Sequence, residues 1–265
     1  MITQEYLSEC VEKVKITSDE KDKENKLPLP FVSLLSENDK QIYKHTKNAI
    51  IDGDYSQASL LLNILLLPDI KPIVLNKLLI EFCEIGDLNA FNFIIDQGAD
   101  IYYSNNMPFV TACRNGNLNL VLAFIEIGIK PNSIPQALVN AASGQQKEII
   151  MELIKVELDI NLNNSEALRI CADQGLSDMV DFLIQQGADV HALNDRALIL
   201  ATSKGHTDTV RVLLHHGSNP NVWDGKCFKI AKEKNYHEIL ELLTNRKKEL
   251  DKEDNITNTS DNDTD

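Results

Sequence analysis

A motif recurs along this chain every 30 residues, and that spacing limits the fold more than any single segment does. Gly86 and Gly116 stand 30 residues apart, as do Gly175 and Gly205, and 59 residues separate Gly116 from Gly175. Placing further anchors at Gln145 and Asn235 gives six units spaced 30, 29, 30, 30 and 30. The neighbouring columns agree. Seven residues before the anchor stand Leu79, Phe109, Leu138, Leu168, Leu198 and Phe228, and four before it the mostly small Phe82, Ala112, Ala141, Cys171, Ala201 and Ala231. Five after it come Phe91, Val121, Ile150, Val180, Val210 and Leu240, and eight after it Ile94, Phe124, Leu153, Leu183, Leu213 and Leu243. Nine after it come Ile95, Ile125, Ile154, Ile184 and Leu214. Spacings of three and four place these residues on one face of a helix. A unit of this size cannot bury such a face alone, so the units must stack.

Each unit reads as helix, tight turn, helix, loop. The anchor glycine ends the first helix in a left-handed conformation that glycine takes without a Cβ clash. A second glycine ends the second helix at Gly98, Gly128, Gly187 and Gly217. Asn89, Asn119, Glu148, Asp178, Asp208 and Glu238 fall in the first turn of the second helix, near its positive dipole end. Asn106, Ser165 and Asp195 share a column from which they are expected to cap the next first helix.

With these columns in place, each unit resembles an ankyrin repeat, a pattern of the form T-P-L-H-x-A-A-x-x-G-H…V-x-x-L-L-x-x-G-A-D. The best copies are Ala167 to Val190, ALRICADQGLSDMVDFLIQQGADV, and Ala197 to Pro220, ALILATSKGHTDTVRVLLHHGSNP; QGADI from Gln97 and MPFVTA from Met107 also fit. The resemblance spans about Lys71 to Leu243 and implies an all-α, ankyrin-type solenoid of stacked helix-turn-helix repeats. The period of 30 rather than 33 implies that the finger loops joining repeats are short. The histidine of T-P-L-H is replaced by Val110, Val139, Arg169 and Ile199, so its hydrogen-bond network is not carried over. In the unit anchored at Gln145, Gln145 and Glu157 stand where glycine belongs, with Gly144 one place early, and a non-glycine left-handed residue costs about 1–2 kcal/mol. That unit is the candidate for distortion.

Four segments follow: 1–35, an N-terminal helix and flexible charged linker; 36–70, a degenerate capping repeat; 71–246, an array of about six repeats; and 247–265, a disordered acidic tail. The tail is almost free of apolar residues, and order is expected to end near Lys252.

The formal net charge of -14 argues against nucleic acid, whose phosphates call for clustered Lys and Arg. No apolar run approaches the roughly 18 residues of a membrane span, and the first residues lack the apolar core of a signal peptide. Five cysteines, an odd and scattered set, suit a reducing compartment, so a cytoplasmic monomer is expected, or one delivered into a host cytoplasm.

Catalytic and metal motifs are missing: there is no phosphate loop, no H-E-x-x-H, no C-x-x-C and no G-x-S-x-G. His206 follows an anchor glycine, where the resemblance assigns histidine a structural place. His215 and His216 lie near a helix end that suits imidazole. Cys113 and Cys171 read as small buried hydrophobes. No catalytic residue, cofactor or metal ligand is therefore assigned.

The resemblance implies binding of a protein partner on the concave side, through the fingers and the exposed part of each first helix. Carried onto this sequence, that side holds Arg114 and Asn115, Asp173 and Gln174, and Ser203 and Lys204. The fingers add Tyr102, Tyr103, His191, Asn194, Arg196, Trp223 and Asp224. Aromatic and Arg side chains dominate binding hot spots, which singles out Trp223 and the tyrosine pair. The alternative is an adaptor or effector that recruits substrates to a ubiquitin ligase or a host complex.

Overall fold

The structure is a computed structural model that describes residues 36–64 and 70–260, with side chains to Lys252. The N-terminal helix and linker expected over 1–35 lie outside the described residues. Contacts divide the chain into two units, Met1–Thr111 and Ala112–Asp265.

In the first unit, helices pair because their apolar columns face one another. Helix α1 (Glu37–Ile51) begins on a reciprocal cap: the Asp39 N–H donates to the Ser36 hydroxyl while the Ser36 N–H donates to the Asp39 carboxylate. Gly53, at φ 74, turns the chain into α2 (Tyr55–Ile64). Helix α3 (Ile70–Ile85) ends at Gly86, at φ 87, and Asp87 caps α4 (Leu88–Asp96) by accepting from the Asn89 and Ala90 N–H groups. Leu79, Phe82, Phe91 and Ile94 are buried between α3 and α4, and Ala49 is buried in α1. Lys47 of α1 reaches Glu81 of α3 at 2.7 Å, with Lys77 at 3.4 Å. Burial works to raise the Glu81 carboxyl, but hydrogen bonds from Lys47 and Tyr43 outweigh it and hold it below the usual carboxylate range. The tilted rings of Tyr55 and Phe93 lie 5.0 Å apart, joining α2 to α4. Gln41, Lys44 and Asn48, three to four residues apart, give α1 a polar, exposed stripe.

The division between the units falls within α5 (Tyr103–Asn115). The second unit continues with α6 (Leu118–Ile127), a 3-10 turn at Pro131–Ser133, α7 (Pro135–Ser143), α8 (Lys147–Lys155), α9 (Leu162–Gln174) and α10 (Ser177–Gln185). Then come α11 (Ala192–Lys204), α12 (Thr207–His215), α13 (Val222–Glu233) and α14 (His237–Ser260). The first helices α7, α9, α11 and α13 pack side by side in sequence order. Each lies against its own second helix, and α10, α12 and α14 form the other layer. Leu138, Leu168 and Leu198, with Ala141, Cys171 and Ala201, are almost fully buried between layers, as are Ile150, Val180, Val210, Leu153, Leu183 and Leu213. Phe228 and Leu240, in the last described repeat, are only half-buried. Ile125, Ile154 and Ile184 are likewise only half-covered, so the column nine after the anchor edges the core in those repeats, while Leu214 in the same column is buried.

Glycines sit at two kinds of demand. Gly175 takes φ 77, and a Cβ there would lie 2.6 Å from the His206 ring. Gln146 covers Gly116 and Tyr236 covers Gly205 in the same way. His206 Nε2 meets the Asp173 carbonyl at 2.9 Å, and Gln146 Nε2 donates to the Arg114 carbonyl at 3.3 Å. One register position thus satisfies the end of the preceding first helix in two repeats, through Gln146 and His206, while Leu176 holds that position in the repeat between them.

Two expectations change, on the helix caps and on where order ends, while the all-α architecture with short loops holds: no strand occurs among the described residues, and the loops between repeats carry a left-handed trio. These trios are Ser104–Asn106, Asn163–Ser165, Leu193–Asp195 and Trp223–Gly225. Ser165 and Asp195, expected as helix caps, are the last residues of such trios, and their buried side chains accept from the next repeat's Asp189 and Asn219 N–H groups at 3.2 and 3.1 Å. At the other end, α14 runs to Ser260, past the residue at which order was expected to stop. Arg, Lys, Glu and Leu from Arg246 to Lys252 are good helix formers, and the Arg246–Glu249 pair at 3.2 Å spans one turn.

Candidate partner-binding surface

The surface starts from a turn repeated along the edge of the array. In each turn an Asx side chain accepts from the N–H two residues on: Asp100 from Tyr102, Asp159 from Asn161, Asp189 from His191 and Asn219 from Asn221, each at 2.9 Å. The left-handed trio follows and turns the chain into the first helix. In the second unit the turns are stitched together. Asn161 accepts from the Asp189 N–H at 2.8 Å and donates to the Gly187 carbonyl at 3.1 Å, and Asn132 does the same to Asp159 and Glu157.

Between these turns opens a groove of about 690 Å³. Its lining includes Asn161, Asn164, Asp189, Leu193, Asn194 and Trp223. Trp223 is 54% exposed, yet its indole N–H donates to the Asn194 carbonyl at 3.1 Å, so the ring is held with its face open. It is both tied to the preceding turn and accessible to a partner. His191 also lines the groove, with Nδ1 3.0 Å from the buried Asp195 carboxylate.

Of the residues expected to meet a partner, the structure brings His191, Asn194 and Trp223 together in this groove, with Asp224 exposed beside Trp223. Arg196 lies half-buried within α11, just past the turn. Asp173 and Gln174 end α9, and Lys204 ends α11, its ammonium 4.0 Å from the Asp173 carboxylate. Arg114 and Asn115 are exposed at the end of α5. In the first unit Tyr102 is 57% exposed and Tyr103 half-buried. Sequence reasoning missed Asn161, Asn164, Asp189 and Leu193. The column Asp100, Asp159, Asp189 and Asn219 carried the signal, an Asx residue at the repeat spacing.

Among the described residues no three His, Cys, Asp or Glu side chains gather where they could hold a metal ion, and no helix is long and apolar enough to cross a membrane. Burial pushes the Cys171 thiol up to about 12 and Cys227 to about 11, which keeps both as thiols.

The sequence matches the family model for ankyrin repeats over residues 168–256, in three copies. No curated protein matches it. Among solved structures, it resembles the ankyrin repeat domain of Bcl-3, a member of the IkappaB protein family, at 21% identity and a TM-score of 0.52, covering 64% of this chain and 85% of that one. It also resembles the ankyrin repeat domain of human ASB11, at 20% identity and a TM-score of 0.52, covering 63% of this chain and 82% of that one. These likenesses concern fold. By sequence, residues 168–256 are ankyrin repeats, and the chain shares the fold of the ankyrin repeat domains it resembles.

Proposed function

We propose that this chain is a non-catalytic interaction module that binds a protein partner along the turn edge and exposed first-helix side of its second unit. Ankyrin repeats are general protein–protein interaction modules, which supports the class of function. The observation that carries the location is Trp223, more than half exposed while its only polar atom is already satisfied by Asn194. A tryptophan held in this way loses little freedom on binding and offers a large apolar face, as binding hot spots do. Gln174, Lys204 and Arg114 extend the same kind of surface with exposed polar side chains at first-helix ends.

The test is affinity capture from cell lysate with the full chain, compared with a Trp223→Asn, Arg114→Ala variant. Asparagine already occupies the Trp223 register at Asn163, so this replacement suits the backbone. A protein retained by the first chain and lost by the second supports the reading. Identical retained sets overturn it.

A further inference from the structure

We infer that the groove beside Trp223 recognises an arginine carried on an extended segment of the partner protein. The inference rests on the reading that this edge binds a protein, and adds the chemistry of what is bound. The chain carries a formal net charge of -14, and none of the residues lining the groove is Lys or Arg. The exposed carboxylate of Asp189 lines it, with only one N–H, that of His191, recorded on that side chain. Asn164 and Asn194 add side-chain amides and Asn194 a main-chain carbonyl, whereas the Asn161 amide is engaged with Asp189, Ser165 and Gly187. Trp223 lines the same groove, tied by its indole N–H to the Asn194 carbonyl, and a guanidinium stacks well on an indole.

The molecule holds an internal precedent. In the repeat before, Arg169 places Nε 3.1 Å from the Asn164 carbonyl and Nη2 3.0 Å from the Asn163 carbonyl, so a left-handed trio already presents two carbonyls to one guanidinium. One repeat on, the register position of Arg169 is filled by the buried Ile199. The equivalent carbonyls of Leu193 and Asn194 thus receive no guanidinium from this chain, and the Asn194 carbonyl stands at the groove, where it meets the Trp223 N–H.

The residue choice in the trios points the same way. Leu193 and Trp223 occupy the register filled elsewhere by Ser104 and Asn163, at φ 53 and 52, and they are 48% and 54% exposed. Left-handed backbone suits asparagine and penalises bulky side chains. Two large apolar residues that accept this backbone and still face solvent have their return outside the folded chain.

The experiment selects binders of the full chain from random 12-residue peptides displayed on phage. Winning peptides are then synthesised with each arginine kept, replaced by neutral citrulline or replaced by glutamate. Enriched peptides are expected to share an arginine. Citrulline should weaken binding about tenfold, the loss of a charge-assisted hydrogen bond and a stacked cation together. Trp223→Asn should weaken it about three- to thirtyfold. Asp189→Asn should weaken it about two- to fivefold, an effect that shrinks with added salt. Both variants copy residues the chain already uses in those registers, Asn163 and Asn219. Winners without arginine that still need Trp223, or affinity untouched by citrulline, overturn the inference and leave the binding surface standing. If no peptide is enriched while lysate capture still depends on Trp223, the inference falls and the function stands. If capture is also indifferent to Trp223, both fall.

Discussion

Two stretches of the second unit solve one geometric problem with different residues. The repeats built on α9 to α12 turn at Gly175, Gly187, Gly205 and Gly217, with φ between 77 and 97. The repeat of α7 and α8 turns at Gln145 and Glu157, with φ 59 and 63. It also starts differently, from a 3-10 turn at Pro131–Ser133 and from Pro135 at the first helical position, where the others use a left-handed trio. The first-helix layer nonetheless runs through it, α7 packing on α9, with Leu138, Ala141, Ile150 and Leu153 buried in register. Stacking therefore imposes the backbone, and the local sequence bears a left-handed cost of about 1–2 kcal/mol at each non-glycine turn. The repeat also separates two demands that one glycine usually meets. Gln145 takes the left-handed conformation, while Gly144, at φ -79, supplies space: a Cβ there would lie 2.1 Å from the Arg114 carbonyl oxygen.

That separation predicts an order of damage. Gly144→Ala, which pushes against main chain, should be the worst, costing about 3 kcal/mol or more because a backbone must move. Gly175→Ala combines left-handed strain with a side-chain clash on His206 and should cost about 2–3 kcal/mol. In a His206→Ala background the clash disappears, so the same change should cost only about 1–2 kcal/mol more than His206→Ala alone. Gly187→Ala has nothing within 4 Å of the new Cβ and should cost about 1 kcal/mol, from strain alone. Urea denaturation of these variants, with His206→Ala alone as the reference for the double, checks the order. A Gly144→Ala chain milder than Gly187→Ala would show that the α7–α8 repeat gives way where the others hold.

The same comparison explains what could be read from sequence. The layers were legible because burial repeats at fixed spacing: Leu168, Cys171, Val180 and Leu183 recur in every unit with the same chemistry. The left-handed positions at Gln145 and Glu157 were legible only by register, since neither residue favours that backbone. The trios were not legible at all. Nothing local in Leu193-Asn194-Asp195 or Trp223-Asp224-Gly225 announces three consecutive left-handed residues. The trios ending at Ser165 and Asp195 turn these side chains inward, where they accept the next repeat's N–H groups, a demand set 24 residues away. The groove followed the trios out of sight. Trp223 was picked out as an aromatic off the apolar columns, but Asp189 and Asn164 look like ordinary turn residues until the turns are stacked.

Replacing the odd residues of the α7–α8 repeat tests the cost it bears. Gln145→Gly and Glu157→Gly should each stabilise the chain by about 0.5–1 kcal/mol, the strain relieved less the added freedom of the unfolded glycine. For a chain of this length that is a rise in Tm of about 2–4 °C per kcal/mol. No change would mean that the repeat reaches its turn without strain, and the contrast with its glycine-bearing neighbours would be one of sequence only.

The smallest effect belongs to the trio that lines the groove. Leu193→Asn places an αL-tolerant residue where Asn163 already stands in the preceding repeat. It removes a side chain that is 48% exposed, and so half of its burial is lost from a contact that was incomplete. The relief of left-handed strain, about 1 kcal/mol, then exceeds the lost packing, and a net gain of about 0.5 kcal/mol is expected. A clear loss of stability would show that Leu193 supports the fold through its covered half. A gain accompanied by weaker peptide binding would show the opposite, that a residue poor for stability holds its place in the groove because of what it touches there.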